Sequence, residues 1–142
     1  DPVNANLIKD EIIQLSKEGS SIIFSTHRME SVEEMCDHIA LIHKSNKLIE
    51  GKIDEVKRQF RTHKFKVGVI SQDVESLMYQ LTQKYKVANT SFKSLNKDLQ
   101  LEIDLNGNTS NDLLQLLMQK GMVTHFEENV PTINDIFIQS VS

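Results

Sequence analysis

The spacing of apolar residues changes near Arg61 and divides the chain into two regions. In the first region, apolar residues recur at helical spacing and then in short continuous runs, which is typical of helices alternating with buried strands. The predicted elements are a helix at 4–17, a strand at 21–25, a helix at 31–36, a strand at 38–43, an edge strand at 48–51 and a helix at 54–60. This alternation predicts an α/β architecture.

Two or three strands cannot form a doubly wound sheet by themselves, so we expect residues 1–60 to be the trailing half of a larger parallel-sheet domain. A half-domain of this kind leaves sheet edges and apolar faces uncovered. We therefore expect residues 1–60 to be rearranged, oligomerised or poorly packed, and residues 61–142 to be the stable unit.

Residues 61–142 show the strict alternation of half-solvated strands, most clearly in Leu99, Leu101 and Ile103. The predicted elements are a strand at 64–70, a helix capped by Asp73, a strand at 86–93, a strand at 99–105, a helix capped by Ser110 and ended by Gly121, a strand at 122–128 and a final helix opened by Pro131-Thr132. The order βαββαβ plus a C-terminal helix predicts a ferredoxin-like α+β sandwich.

Composition is that of a soluble globular protein, with 39% hydrophobic and 25% charged residues. The net charge of −4 offers no overall field for nucleic acid, and we expect no nucleic-acid partner. No apolar run approaches the ~20 residues that cross a bilayer. Cys36 is the only cysteine, which excludes an internal disulfide.

Other candidate sites have simpler interpretations. The histidines at 38, 43, 63 and 125 lack metal-ligand spacing, and a single cysteine cannot complete a zinc site, so we expect no metal site. Glu30, Glu33 and Glu34 fit a solvated acidic helix start better than an acid–base cluster. The one basic cluster, at residues 57–66, fits an exposed linker face better than a docking surface for a partner or lipid.

The most informative stretch is the apolar run 22–24, which stops abruptly at Ser25-Thr26-His27-Arg28. Ligands of parallel sheets bind beyond the carboxyl ends of the strands, where His27 is expected. An imidazole at such a place can donate or accept one hydrogen bond with a phosphate oxygen or a water. Position by itself favours a solvated loop residue.

The longer run "SIIFSTHRMESVEEMCDHIALIHKSNKLIEGKIDEVK" resembles the switch-histidine segment of ATP-binding cassette (ABC) transporter ATPases. The leading "DPVNANLIKDEIIQLSKEG" resembles the D-loop and following helix of the same family. The resemblance implies that His27 is the switch histidine, which contacts the γ-phosphate and the attacking water. It also implies that Asp1 is the D-loop aspartate, which approaches the nucleotide site of the opposite subunit.

This resemblance implies the C-terminal part of an ABC ATPase subunit, starting inside the D-loop, from a bacterial and exporter-like transporter. The intact protein would use ATP and Mg²⁺, pair with a second ATP-binding subunit as a homodimer, and join transmembrane permease subunits. Its expected location is cytoplasmic, at the inner face of the cell membrane. The sequence has no Walker A, signature or Walker B motif, so we expect this chain by itself neither to bind nor to hydrolyse ATP.

The second region resembles the accessory C-terminal domain of some bacterial ABC ATPases, with "PTINDIFIQSV" as the terminal helix. In that group such domains serve dimer contacts, regulation or ligand sensing. The predicted division is therefore residues 1–60, from the nucleotide-binding domain, and residues 61–142, the accessory domain. The alternative is a stand-alone regulatory, dimerisation or small-ligand-sensing ferredoxin-like module, with residues 1–60 incidental.

Overall fold

Helices and strands are interspersed along the described residues, and the strands form two antiparallel sheets. The computed structural model describes residues 2–142. The helices are α1 (Pro2–Lys17), α2 (Met29–Met35), α3 (Ile53–Gln59), α4 (Val74–Lys84), α5 (Ser110–Lys120) and α6 (Ile133–Val141). The strands are β1 (His38–His43), β2 (Asn46–Lys52), β3 (Lys64–Ile70), β4 (Lys86–Asn89), β5 (Leu99–Asp104) and β6 (Met122–Glu128). The architecture is thus mixed α/β.

The chain divides into two compact units. Unit 1 comprises the residues up to Phe60 together with Pro131–Ser142, and unit 2 comprises Arg61–Val130. The sequence pattern predicts the final helix as part of residues 61–142, whereas in the structure α6 packs with α2 and α3. Ile133 and Ile136 of α6 are 0% exposed and lie in one core with Val56. The two isoleucines thus complete the apolar core of unit 1.

The sheet of unit 1 is a β1–β2 hairpin, in which His38 pairs with Lys52 and His43 with Asn46. Lys44 and Ser45 form its turn with φ of 50° and 64°, as a two-residue hairpin turn requires. These are the strands of unit 1, and they run antiparallel. The expected parallel sheet is therefore not formed by the described residues.

The strand predicted at residues 21–25 is wrong. Residues 20–26 have no regular structure, and the Ile23 side chain is 97% exposed. A strand exists through hydrogen bonds to a neighbouring strand, and no other described segment pairs with this one. The apolar side chains of Ile22 and Ile23 predict burial, and burial would require a neighbouring strand.

Unit 2 contains a four-stranded antiparallel sheet in the order β4-β5-β3-β6. The predicted alternation of β3 is confirmed, since Phe65, Val67 and Val69 are buried. Helices α4 and α5 pack against the same core, which contains Leu77, Leu81, Leu113 and Leu117. The sheet and its two helices therefore share one continuous core.

Helix starts follow local hydrogen bonding. Asp73 caps α4 as predicted, since its carboxylate accepts the Ser76 N–H at 3.1 Å. The predicted Ser110 cap of α5 is wrong, because Thr109 accepts the Asp112 N–H instead. Helix α2 begins at Met29, before the predicted start at Ser31, and has no side-chain cap.

Candidate functional site

His27 lies in the irregular segment between α1 and α2, and its side chain is exposed. Next to it, the Thr26 hydroxyl accepts the Arg28 N–H at 3.0 Å, which turns the backbone into α2. Within residues 2–142, the imidazole makes no hydrogen bond or ion pair. Both ring nitrogens are therefore free to meet a ligand, and either can donate or accept according to the tautomer. Asp1, the other predicted site residue, lies outside the described residues.

Glu33 departs from the expected solvated acidic helix start. Its side chain is only 27% exposed. One carboxylate oxygen accepts from Lys57 Nζ at 2.6 Å, and the other accepts the backbone N–H of Ile133 at 2.5 Å. Glu33 thus joins α2 to α3 and α6. The neighbouring Glu34 pairs with Lys9 of α1.

Acidic partners neutralise much of the basic cluster at residues 57–66. Besides the Lys57–Glu33 pair, Arg61 donates through Nε and Nη2 to the two oxygens of Glu128, each at 2.6 Å. These hydrogen bonds hold the pKa of Glu128 below its usual value. The paired cations are therefore structural, because each has an acidic partner within the fold.

A second polar cluster surrounds Asp98 in unit 2, a residue that the sequence pattern did not single out. Asp98 accepts hydrogen bonds from Thr124 at 2.5 Å, Gln100 at 3.0 Å and Ser94 at 3.1 Å. Gly68 permits this arrangement, since a Cβ there would lie 2.6 Å from the Asp98 carboxylate and 2.5 Å from the Thr124 hydroxyl. All the Asp98 contacts are internal, so the cluster fixes the loop between β4 and β5.

Two histidines serve in ring contacts. His43 meets Phe137 edge-on at 6.2 Å, and His125 lies over Phe92 at 4.4 Å. Burial raises the pKa of the Cys36 thiol, which disfavours the reactive thiolate.

Across the described part of the chain, no three His, Cys, Asp or Glu side chains are grouped to hold a metal ion. None of the helices in residues 2–142 is long and apolar enough to cross a membrane.

The chain is similar to known proteins over nearly its whole length. It is 35% identical over 141 residues to YhaQ, an uncharacterised ABC transporter ATP-binding protein of Bacillus subtilis, and covers 45% of that protein. It is 33% identical over 141 residues to an uncharacterised ABC transporter ATP-binding protein of Alkalihalophilus pseudofirmus, and covers 50% of it. Each alignment takes in 99% of this chain. The chain therefore spans about half the length of these curated relatives.

A shorter stretch of 53 residues is 45% identical to the fluoroquinolones export ATP-binding protein of Mycobacterium tuberculosis, covering 37% of this chain and 16% of that protein. Residues 51–141 match the model of the ATP-binding protein DrrA1-3-like C-terminal domain. That match includes β3 to β6 and α6, and it takes in more than half of the chain. The chain therefore belongs to the family of ABC transporter ATP-binding proteins that carry a DrrA1-3-like C-terminal domain.

Proposed function

We propose that this chain is the C-terminal part of the ATP-hydrolysing subunit of a bacterial ABC exporter, which couples ATP hydrolysis to transport across the membrane. The observation that carries the proposal is His27, exposed and unpaired within the described residues, at the entry to α2. Its surrounding sequence resembles the switch-histidine segment, and the relatives named above are ABC transporter ATP-binding proteins. One relative, which matches this chain over 53 residues, is named for fluoroquinolone export, and this supports the assignment to an exporter.

In the complete subunit, His27 would donate a hydrogen bond to the γ-phosphate and hold the attacking water. Phosphoryl transfer depends mainly on positioning and on stabilising charge at the γ-phosphate oxygens, so one well-placed donor has a large effect. Asp1 would approach the site of the opposite subunit. The phosphate-binding loop and the Mg²⁺ ligands would come from other parts of the subunit, and this chain by itself is proposed not to bind ATP.

The proposed partners are a second copy of the subunit and transmembrane permease subunits, at the cytoplasmic face of the cell membrane. The family membership and the relatives' names support this assembly. We further propose that residues 1–60 are the trailing part of the nucleotide-binding domain and that an accessory domain begins at Arg61. The strand order β4-β5-β3-β6, with every neighbouring pair antiparallel, supports a ferredoxin-like sandwich for that domain.

The test is ATP turnover by the complete subunit carrying His27→Ala. We expect turnover to fall by roughly tenfold or more, the scale of general acid–base and electrostatic contributions. His38→Ala is the matched control, because His38 is also exposed but lies on the β1 hairpin. Unchanged turnover in His27→Ala would refute the proposed role of His27.

A further inference from the structure

The position of α2, the helix that follows His27, depends on contacts with three other helices. Val32 is its buried residue and lies in the core of unit 1 with Ile133 and Ile136 of α6. Glu34 pairs with Lys9 of α1, and Glu33 pairs with Lys57 of α3. A helix of seven residues has little stability by itself, so these contacts determine where α2 lies.

Glu33 makes the most specific of these contacts, because both of its oxygens have partners. Oε2 accepts from Lys57 Nζ at 2.6 Å, and Oε1 accepts the Ile133 N–H at 2.5 Å. A hydrogen bond to a charged carboxylate is stronger than one between neutral groups. Residues 33 and 133 are far apart in sequence, so the contact forms only when α6 is seated on α2.

The start of α6 requires an acceptor at this place. Thr132 and Asp135 form a capping box, in which the Thr132 hydroxyl accepts the Asp135 N–H and the Asp135 carboxylate accepts the Thr132 N–H. The Ile133 N–H lies in the first turn, where no helical carbonyl is available. The Glu33 carboxylate accepts this hydrogen bond and also adds negative charge at the N-terminal end of the helix dipole.

The segment carrying His27 makes few hydrogen bonds within the described residues. Residues 20–26 are irregular and Ile23 is almost fully exposed. The Thr26 hydroxyl accepts the N–H of Arg28, the residue before α2, and the Arg28 carbonyl accepts the Val32 N–H of α2 at 3.4 Å. His27 is therefore attached to unit 1 chiefly through the start of α2.

We propose that Glu33 is a positioning residue, which links the seating of α6 to the placement of His27 and through His27 to ATP turnover. With Glu33 bound to Lys57 and to the start of α6, α2 is fixed and the imidazole is held at one place. With α6 displaced, α2 loses the hydrogen bond from the Ile133 N–H to Glu33 and the part of its apolar core that Ile133 and Ile136 supply. This inference rests on the proposed role of His27 in hydrolysis.

The first test measures ATP turnover of the complete subunit. We expect Glu33→Ala to lower kcat by roughly threefold to tenfold, because misplacing a catalytic group by about 1 Å slows chemistry substantially. KM for ATP should change by less than about twofold, since both Glu33 oxygens are already bonded to Lys57 and Ile133. Glu33→Gln keeps an oxygen for the Ile133 N–H and should lose less activity. Glu30→Ala is the control, because Glu30 is exposed on the same helix.

The second test is a double-mutant comparison. In a His27→Ala background, Glu33→Ala should cause no additional loss of kcat, because the group that Glu33 positions is already absent. If the fold-losses of kcat from the two substitutions multiply in the double variant, the inference is overturned and Glu33 has a general structural role. An unchanged kcat in Glu33→Ala, with His27→Ala inactive, would also overturn it while the proposed function stands.

The third test needs no activity and uses this 142-residue chain. NMR of the His27 ring, together with amide exchange of residues 25–36, should change in Glu33→Ala and not in Glu30→Ala. If the His27 signals change in Glu33→Ala while His27→Ala keeps full ATP turnover, the link is supported and the proposed function is refuted. If the NMR signal of the His27 ring is the same in Glu33→Ala as in the native chain, the link is overturned, regardless of the ATP turnover.

Discussion

Asp98 illustrates how one residue fixes a loop. Its carboxylate accepts hydrogen bonds from Thr124, Gln100 and Ser94, and Gly68 leaves room for it above the sheet. The hydrogen bond from Thr124 is the main reason that the pKa of Asp98 lies below its usual value. Because the charged form is favoured in the folded state, ionisation of Asp98 stabilises unit 2.

This coupling predicts a dependence of stability on pH. A depressed folded-state pKa stabilises the fold above the unfolded-state value, about 3.9 for Asp, and this contribution disappears as pH falls through the folded-state pKa. We expect Asp98→Asn to be less stable than the native chain at pH 7, with the difference shrinking below about pH 4. Urea unfolding can be followed by tyrosine fluorescence, since the two tyrosines, Tyr79 and Tyr85, both lie in unit 2.

Thr124→Val is the companion variant, because it removes the main donor and keeps the side-chain shape. It should reduce the pH dependence, since the pKa of Asp98 then lies closer to its unfolded value. Equal pH profiles for all three proteins would contradict the assigned stabilisation by the Asp98 carboxylate.

The role of His27 could be predicted from the sequence, whereas the contacts of Glu33 and Asp98 could not. His27 was recognisable because the segment around it is continuous and its residues are ordered in a way typical of one family. Glu33 was interpreted as solvated because its partner, the Ile133 N–H, lies 100 positions away. Asp98 was missed for the same reason, since Thr124 is 26 positions from it. Hydrogen bonds between residues that are far apart in the sequence leave no pattern in the local sequence.

At the level of elements, local patterns predicted most helices and strands correctly. The strands at 38–43, 64–70 and 122–128 were placed at their observed bounds, because their ends coincide with turn residues. The strand at 21–25 failed because its pairing depends on neighbours that the described residues do not supply. The strand at 86–93 ends early, at Asn89. Pairing, unlike propensity, is a property of two segments together.

Helix α6 allows a prediction with an internal control. Ile136 is 0% exposed and Ile138 is 54% exposed on the same helix. Ile136→Ala should lower the opening free energy of unit 1 by about 2–4 kcal/mol, because it leaves a cavity in the core. Ile138→Ala should cost less than about 1 kcal/mol. Amide exchange of the Ile39 and Leu41 backbone N–H groups measures both, and equal effects would contradict the described packing of α6.

At the scale of the whole molecule, the two units differ in how they are built from the chain. Unit 2 is one continuous segment, Arg61–Val130, with a core in which Val67, Leu101 and Leu117 are fully buried. Unit 1 needs two separated segments, because Ile133 and Ile136 complete its core. Continuous segments with their own core fold as independent domains.

We therefore expect residues 61–130 to fold when produced alone. Their thermal unfolding, followed by tyrosine fluorescence, should be cooperative, with a midpoint within a few degrees of the same transition in the full chain. Removing residues 131–142 should leave this transition unchanged and abolish the amide protection of β1. A non-cooperative transition of the 61–130 segment would contradict the assignment of an independent core.

The contribution of α6 to unit 1 has a consequence for the order of folding. Unit 2 is one continuous segment that ends at Val130, so it can complete its core while unit 1 still waits for residues 131–142 to join it. During that interval, Val32, Ile39 and Val56 lack the two isoleucines that cover them. A chain cleaved by a protease before Pro131 would accordingly carry a finished unit 2 together with an apolar surface of the kind that chaperones bind.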